Sequence, residues 1–423
     1  MNDISNLPHL ALTDDVGDGG LQLPASAYFD DALFELEMAR IFANSALYVG
    51  NEQSVPNPGD WRALPQDEGG RVLVRNAGGV QLLSNVCRHR QSLMLGGAAG
   101  NVSGKVSGAA GGAPAGNPSG AANASAPPQT SGNLAATGGN IVCPLHRWTY
   151  DGKGELIGAP EFERKPCRNL ERFALKHCHG LLYEGPREPA DDMARVFARP
   201  EFDLSGYVLD HVETHTCHYN WKTFIEVYLE DYHVAPFHPG LGQFVSCDDL
   251  DWEFADTYSM QRVGVNNALA QPGSDVYRTW HDRLLEYRGG EAPSFGAIWL
   301  AYFPTQMIEL YPHTLVVSTL YPKGPQETLN VVEFYYPEDI AAFEREFVDA
   351  QRAAYLETVI EDDEIAERMD AGRLRLHRRG TSDAGPYQSP LEDGMRHFHA
   401  WYRRALGGGT PALKRRMFEL QAV

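Results

Sequence analysis

The chain reads as α+β: a small β-sandwich followed by a larger domain in which an antiparallel sheet packs with helices. Three observations predict this. Short β-rich runs separated by turn signals fill the stretch from about Ala46 to Gly185, among them YVGNEQSV, RVLVRN, VQLLSNV, NIVCPL and GLLYEG, a pattern suited to a compact all-β unit. After Pro186 come longer alternating runs, GAIWLAYFP, MIELYP, TLVVSTLYP and TLNVVEFYYP, which suggest an antiparallel sheet. Helical periodicity then takes over from about Pro337 to Arg373 and again from about Pro390 to Ala405. Strands gathered before helices point to α+β rather than to alternating βα units.

The elements divide the 423 residues into an N-terminal segment, 1–45, a sandwich domain, 46–186, and a larger domain, 187–423. The first segment carries an amphipathic helix over Tyr28–Asn44, with Phe29, Leu33, Leu36, Met38, Ile41 and Phe42 as its apolar positions, and is expected to pack on the larger domain. Inside the sandwich domain, Gly96 to Gly139 consists mainly of Gly, Ala, Ser, Asn and Pro with Lys105 as its single charge. Such a stretch cannot bury enough apolar surface to offset its ordering entropy, so it is expected to be a disordered insertion without helix or strand. Loop-closure entropy grows slowly with length, and the fold tolerates it.

That insertion separates two pairs of soft ligand residues, Cys87-Arg88-His89 and Cys143-Pro144-Leu145-His146. Two thiolates and two imidazoles suit a [2Fe-2S] cluster of mixed ligation, with both sulfurs on one iron and both histidines on the other. In NVCRHRQSLML and NIVCPLHRWTYDGKGEL the pattern closely resembles the Rieske fingerprint. A structural Cys₂His₂ zinc site is the alternative, although its usual first half is C-x₂₋₄-C and not C-x-H.

A second metal pattern lies downstream, in NWKTFIEVYLEDYHVAPFHPG, where Glu230 is followed by His233 and His238. Two imidazoles and a carboxylate on one face of a metal make the facial triad of non-heme Fe(II) oxygenases, with the opposite face left open. His233 is expected near the end of a helix running from about Trp221, which Pro236 stops, so that His238 comes from the following turn. The carboxylate is sought in ETVIEDDEIAERMDAGRL. Helical spacing puts Asp362 on the face shared with Tyr355, Val359, Ile365 and Met369, while Asp363 and Glu364 point more outward. An acid on an inward face needs a cation.

From about Tyr28 to about Leu406 the arrangement resembles the catalytic alpha subunits of Rieske-type non-heme iron oxygenases, the ring-hydroxylating oxygenase family. The resemblance implies Cys87, His89, Cys143 and His146 as cluster ligands and His233, His238 and Asp362 as iron ligands. It implies that Glu230 bridges the two metal centres, that Asn220 lies near the iron, and that the chain is a homotrimer in which the cluster of one subunit serves the iron of the next. Naphthalene-type dioxygenases carry aspartate at the bridging position; glutamate is more typical of members resembling the quaternary-amine oxygenases.

The expected activity is mono- or dioxygenation of a small organic molecule with O₂. Electrons would come from NAD(P)H through a separate reductase or ferredoxin, because the chain has no G-x-G-x-x-G fingerprint of its own. Phe244, Tyr258, Trp280, Trp299 and Tyr302 would line an apolar pocket or a cation cage, and Glu230 tilts the expectation towards an amine, with an aromatic substrate as the alternative. A Rieske electron carrier without oxygenase activity and a zinc-dependent hydrolase are the competing classes. The net charge of −20 argues against nucleic-acid binding. No apolar stretch reaches the length of a membrane span, the N-terminus lacks a signal-peptide pattern, and six cysteines suggest no disulfide scaffold, so a cytoplasmic location is expected. His177, Cys178 and His179 alternate across a strand. His211, His215, Cys217 and His218 suit a polar sheet face, and His397 and His399 a helix surface.

Overall fold

The computed structural model describes residues 22–96, 130–381 and 384–407. It comprises two compact units. One is Val49–Leu175; the other joins the residues up to Tyr48 with those from Lys176 onward.

In the smaller unit, a five-stranded antiparallel sheet runs in the order Ser131–Asn133, Asp60–Ala63, Arg71–Asn76, Gly79–Ser84, Arg172–Phe173. A three-stranded sheet of Ile141–Val142, Thr149–Tyr150 and Leu156–Gly158 accompanies it. Trp61, Val72, Val74, Leu83, Ile141 and Tyr150 share one core. The expected structureless span Gly96–Gly139 is too long at its C-terminal end. Residues 97–129 lie outside the described residues, but Ser131–Asn133 pair with Asp60–Arg62 and Leu134 is buried in the core. Ser-Gly-Asn has no apolar alternation to reveal a strand. Side-chain hydrogen bonds help to fix it instead: Asn133 Nδ2 donates to Asp60 Oδ1 at 2.6 Å, and Asn133 Oδ1 accepts from Ala135 N at 2.7 Å. The unit also ends earlier than the expected residue 186. The hairpin of Lys176–Cys178 and Leu181–Glu184 packs Leu181 and Tyr183 among Leu300, Tyr302 and Ile308 of the larger unit.

The larger unit is built on a seven-stranded antiparallel sheet in the order Tyr207–Cys217, Glu327–Pro337, Thr314–Gly324, Gln306–Tyr311, Ala297–Tyr302, Tyr258–Val265, Val245–Ala255. Apolar side chains leave both faces. Ile298, Leu300, Ile308 and Leu310 pack with Met193 and Val196, whereas Val263, Ala297, Trp299 and Phe334 pack with helical Tyr277, Trp280, Phe347 and Tyr355. Strands covered on both sides read as near-continuous apolar runs.

The helices differ from expectation mainly at their ends. The N-terminal helix is Asp31–Arg40, capped by Asp30, which accepts from Leu33 N at 2.9 Å; short 3₁₀ turns flank it. The stretch from Pro337 is two helices, Glu338–Phe343 and Arg345–Arg378, separated at Glu344. The last helix spans Asp393–Gly407. A further helix, Asp275–Tyr287, starts at Ser274, whose side chain accepts from Tyr277 N. Among the described residues, no helix is long and apolar enough to cross a membrane.

Candidate metal centres

The helix Trp221–Tyr228 ends before the expected Pro236 stop. Its polypeptide continues through Leu229 and Glu230, and His233 immediately precedes a separate one-turn helix, Val234–Phe237, that contains Pro236. His238 follows that turn. A single helical turn presents the imidazoles of His233 and His238 to one point, and Asp362 arrives from the long helix Arg345–Arg378. His233 Nε2 lies 3.0 Å from His238 Nε2 and 3.3 Å from Asp362 Oδ1; His238 Nε2 lies 3.0 Å from Asp362 Oδ1. Three ligands at right angles around a metal, each bond about 2.1 Å long, would have donor atoms about 3.0 Å apart. The three residues therefore fit a facial set.

The far ring nitrogens are tied down. His233 Nδ1 meets Glu230 Oε1 at 2.6 Å, and His233 N donates to Glu230 Oε2 at 3.0 Å. His238 Nδ1 meets Glu361 Oε2 at 2.7 Å. A carboxylate on Nδ1 fixes the ring and leaves Nε2 for a metal. Burial pushes the His233 imidazolium down, but Asp362 and Glu230 together outweigh it and raise the group to about 10. Burial pushes the Asp362 carboxyl up, and the two imidazoles more than reverse this, holding it below its ordinary value. Metal ligation displaces the protons that these carboxylates favour on the two imidazoles.

In the smaller unit the two cysteines begin loops with one shared hydrogen-bond pattern. Cys87 N donates to Ser92 O and Gln91 N to Cys87 O; Cys143 N donates to Trp148 O and Arg147 N to Cys143 O. Gln91 and Arg147, the corresponding residues, both have positive φ, 57° and 61°. Both thiols are buried, and burial pushes the Cys143 thiol up. Cys87 Sγ lies 3.6 Å from Tyr150 Oη, which accepts from Arg88 N at 3.1 Å. The rings of His89 and His146 lie 4.7 Å apart, and His89 stacks on Trp148 at 4.8 Å. His89 Nδ1 is buried with no hydrogen-bond partner. An orphaned buried nitrogen is costly unless something ligates it, and with two buried thiols beside it this donor set fits an iron–sulfur cluster of mixed ligation.

Other expectations need correction. Asn220 does not turn its side chain to the triad. It caps the helix Trp221–Tyr228 by accepting from Lys222 N, and its amide donates to Tyr28 O and Pro325 O. A residue at a helix start serves the orphan amides there. Asp363 points less outward than expected: Tyr219 Oη donates to it at 2.5 Å, and His215 Nε2 lies 3.7 Å away with Cys217 Sγ 3.3 Å from the same nitrogen. His399 is no surface residue. It is fully buried between Glu226 Oε1 at 2.8 Å and Tyr387 Oη at 2.7 Å. His397 is half-buried, 2.9 Å from Ser259 Oγ. Of the five aromatic candidates, Trp299 alone lines the cavity at the triad; Phe244, Tyr258, Trp280 and Tyr302 lie in the cores.

That cavity, about 70 Å³, is bounded by His233, His238 and Asp362 on one side and by Tyr228, Trp299, Tyr311 and Tyr355 elsewhere. Two buried acids reach it, Asp231 and Glu309. Burial, with Glu230 adding to it, pushes Asp231 up to about 8. With its amide oriented to donate, Gln261 reaches Asp231 Oδ2 at 2.7 Å. Glu309 was overlooked in the sequence, as was the pairing of Glu361 with His238. The signal for Glu309 was present: a lone acid inside the apolar strand run MIELY.

Residues 204–408 match the ring hydroxylating alpha subunit (catalytic domain) family, and residues 124–174 match the Rieske [2Fe-2S] domain. The second match holds Cys143 and His146; Cys87 and His89 precede it. The chain belongs to the Rieske non-heme iron oxygenases, whose cofactors are a Rieske [2Fe-2S] cluster and mononuclear iron and whose co-substrate is O₂. It is 66% identical over 407 residues to a putrescine 2-hydroxylase of Bordetella bronchiseptica, covering 96% of this chain and 88% of the relative. A putrescine 2-hydroxylase of Ralstonia nicotianae is 58% identical over 385 residues, covering 91% and 95%. Among solved structures, the quaternary ammonium Rieske monooxygenase CntA in complex with L-carnitine has a TM-score of 0.66 at 17% identity, covering 92% of this chain and 96% of that one.

Proposed function

We propose that the chain is the oxygenase component of a diamine hydroxylase that places one oxygen atom of O₂ on a carbon of a short aliphatic diamine, putrescine being the substrate of choice. The observation that carries this is the 66% identity, over nearly the whole chain, with a putrescine 2-hydroxylase. The acidic and aromatic cavity supports it, because a dication is favoured next to carboxylates and ring faces. The balanced reaction takes diamine, O₂, two electrons and two protons to hydroxydiamine and water. The electrons come from NAD(P)H through a separate reductase or ferredoxin.

His233, His238 and Asp362 would hold the mononuclear iron, and Cys87, Cys143, His89 and His146 the cluster. When bound, the cluster supplies single electrons and the iron binds and activates O₂. Glu230 and Glu361 orient the two imidazoles. Tyr228, Trp299 and Tyr355 enclose the substrate and exclude water. Glu230 would also link the two centres across a head-to-tail homotrimer. Both its oxygens already accept from His233, and each retains a lone pair for the exposed His146 of a neighbouring chain.

The test is O₂ uptake by the holoenzyme with a surrogate reductase and NADH. Putrescine should stimulate uptake and yield a product heavier by one oxygen, whereas glycine betaine, L-carnitine and benzene should not. Uptake stimulated by one of these three and not by putrescine would overturn the diamine reading.

A further inference from the structure

We propose that Glu309 is the anchor for the ammonium group remote from the reacting carbon, so that the cavity is a two-ended site with the metal ligands at one end and this carboxylate at the other. The proposal rests on the amine reading above and names the residue that enforces it.

Glu309 lies on the strand Gln306–Tyr311, directly across from Trp299 on the neighbouring strand. It is 3% exposed, and it lines the cavity together with the triad. Its two oxygens accept one hydrogen bond each, from Tyr311 Oη at 2.9 Å and from Tyr355 Oη at 3.1 Å. Trp299 Nε1 in turn donates to Tyr311 Oη at 3.1 Å. Each carboxylate oxygen has a second lone pair, so Glu309 can accept from an ammonium without losing either tyrosine. Among the described residues, no Lys, Arg or His forms an ion pair with Glu309. Glu226 and Glu37, equally buried, each have one: Glu226 pairs with Arg373 at 2.5 Å and Glu37 with Lys222 at 2.7 Å. A buried carboxylate without a cation is unfavourable. Here the missing cation is one that arrives with the substrate. Glu333 also accepts from two tyrosines, Tyr48 and Tyr335, but it does not line this cavity.

A second buried polar atom belongs to the same space. Tyr228 also lines the cavity, and its Oη is buried with no hydrogen-bond partner. It stands close enough to Glu309 for the carboxylate to oppose its ionisation. Its hydroxyl is available as an acceptor for the same ammonium.

The two ends lie on one cavity, and the helix that lines it sets their scale. Tyr355, which holds Glu309, and Asp362, of the triad, are on one helix and share a face. Seven residues along a helix advance about 10 Å. Three carbon–carbon or carbon–nitrogen bonds span about 4 Å, and a charged hydrogen bond adds about 2.8 Å. A short diamine, with a carbon beside the triad and an ammonium on Glu309, is of the same scale as this stretch of helix, and a monoamine of the same length has only one group to share between the two ends.

The experiment is anaerobic equilibrium dialysis of the metal-loaded enzyme with putrescine, 4-amino-1-butanol and 1-aminobutane, for wild type, Glu309→Gln and Glu309→Asp. Wild type should bind putrescine at least about 30-fold more tightly than 4-amino-1-butanol. Glu309→Gln should weaken putrescine about 100-fold, the effect of leaving one partner of a buried charge pair alone. Glu309→Asp, which keeps the charge, should weaken it less. Iron and cluster contents should not change. Glu309→Gln binding putrescine within about threefold of wild type overturns the proposal. If that variant fails to fold, wild type binding putrescine and the amino alcohol equally overturns it as well. Wild type that ignores putrescine but binds a monoamine that Glu309→Gln loses refutes the diamine reading and upholds the ammonium anchor.

Discussion

Glu309→Gln should stabilise the substrate-free protein, and the gain should depend on pH in one direction. Burial, opposed by the hydrogen bonds from Tyr311 and Tyr355 and reinforced by Asp362, pushes Glu309 from its ordinary 4.5 up to about 7. The folded state thus binds this proton more tightly than the unfolded state. Its contribution is complete below about pH 4.5 and is lost as pH rises through about 7. The shift of 2.5 corresponds to about 3 kcal/mol. Glutamine is neutral throughout and avoids this loss. Measured by calorimetry on metal-free protein without amine, the variant should match wild type near pH 4. At pH 8 it should exceed wild type by up to about 3 kcal/mol, or a few degrees in Tm. Added putrescine should raise the Tm of metal-loaded wild type and leave that of the variant nearly unchanged. A stability difference that is flat with pH, or that grows towards acid, would refute the view of Glu309 as a buried, uncompensated carboxylate.

Other expected outcomes follow from the metal sites. Asp362→Ala should lose mononuclear iron on metal analysis and keep the visible spectrum of the cluster, because Asp362 lies in the larger unit and all four cluster residues in the smaller. Glu230→Gln should retain both metals but slow steady-state turnover about 10- to 100-fold, the usual effect of removing a carboxylate that supports a ligand histidine. Excision of residues 97–129 should leave cluster absorbance and thermal melting close to wild type. Excision continued through Leu134 should lower both, since Ser131–Asn133 and Leu134 are part of the sandwich.

The ligand pairs were legible because their geometry is local. C-x-H, C-x₂-H and H-x₄-H each set two donors within one loop or turn, and Asp362 could be placed by the periodicity of its helix. What depends on tertiary packing was not legible. Glu361, Asp362 and Asp363 are consecutive, so they leave the helix in different directions, and only the fold shows that Glu361 meets His238 while Asp363 meets Tyr219. Asn220 sits close in sequence to the histidine motif, yet its side chain serves the start of a helix. The strand Ser131–Asn133 carries no hydrophobic pattern because it is an edge strand held by pairing and polar side chains. The strands Val245–Ala255 and Tyr258–Val265 were also missed; the first is rich in acids that face outward. Glu309 stands out as the lone acid of MIELY, but a strand covered on both faces shows no alternation to say which face that acid leaves by.

The most direct measurement is a reaction of the holoenzyme with putrescine under ¹⁸O₂ in ordinary water, with electrons from a surrogate reductase and the product read by mass spectrometry. The expected product is a monohydroxylated diamine carrying one ¹⁸O atom, formed by wild type and absent with Asp362→Ala. Hydroxydiamine carrying only oxygen from water, or no oxidation of putrescine by enzyme with full iron and cluster content, would contradict the proposed function.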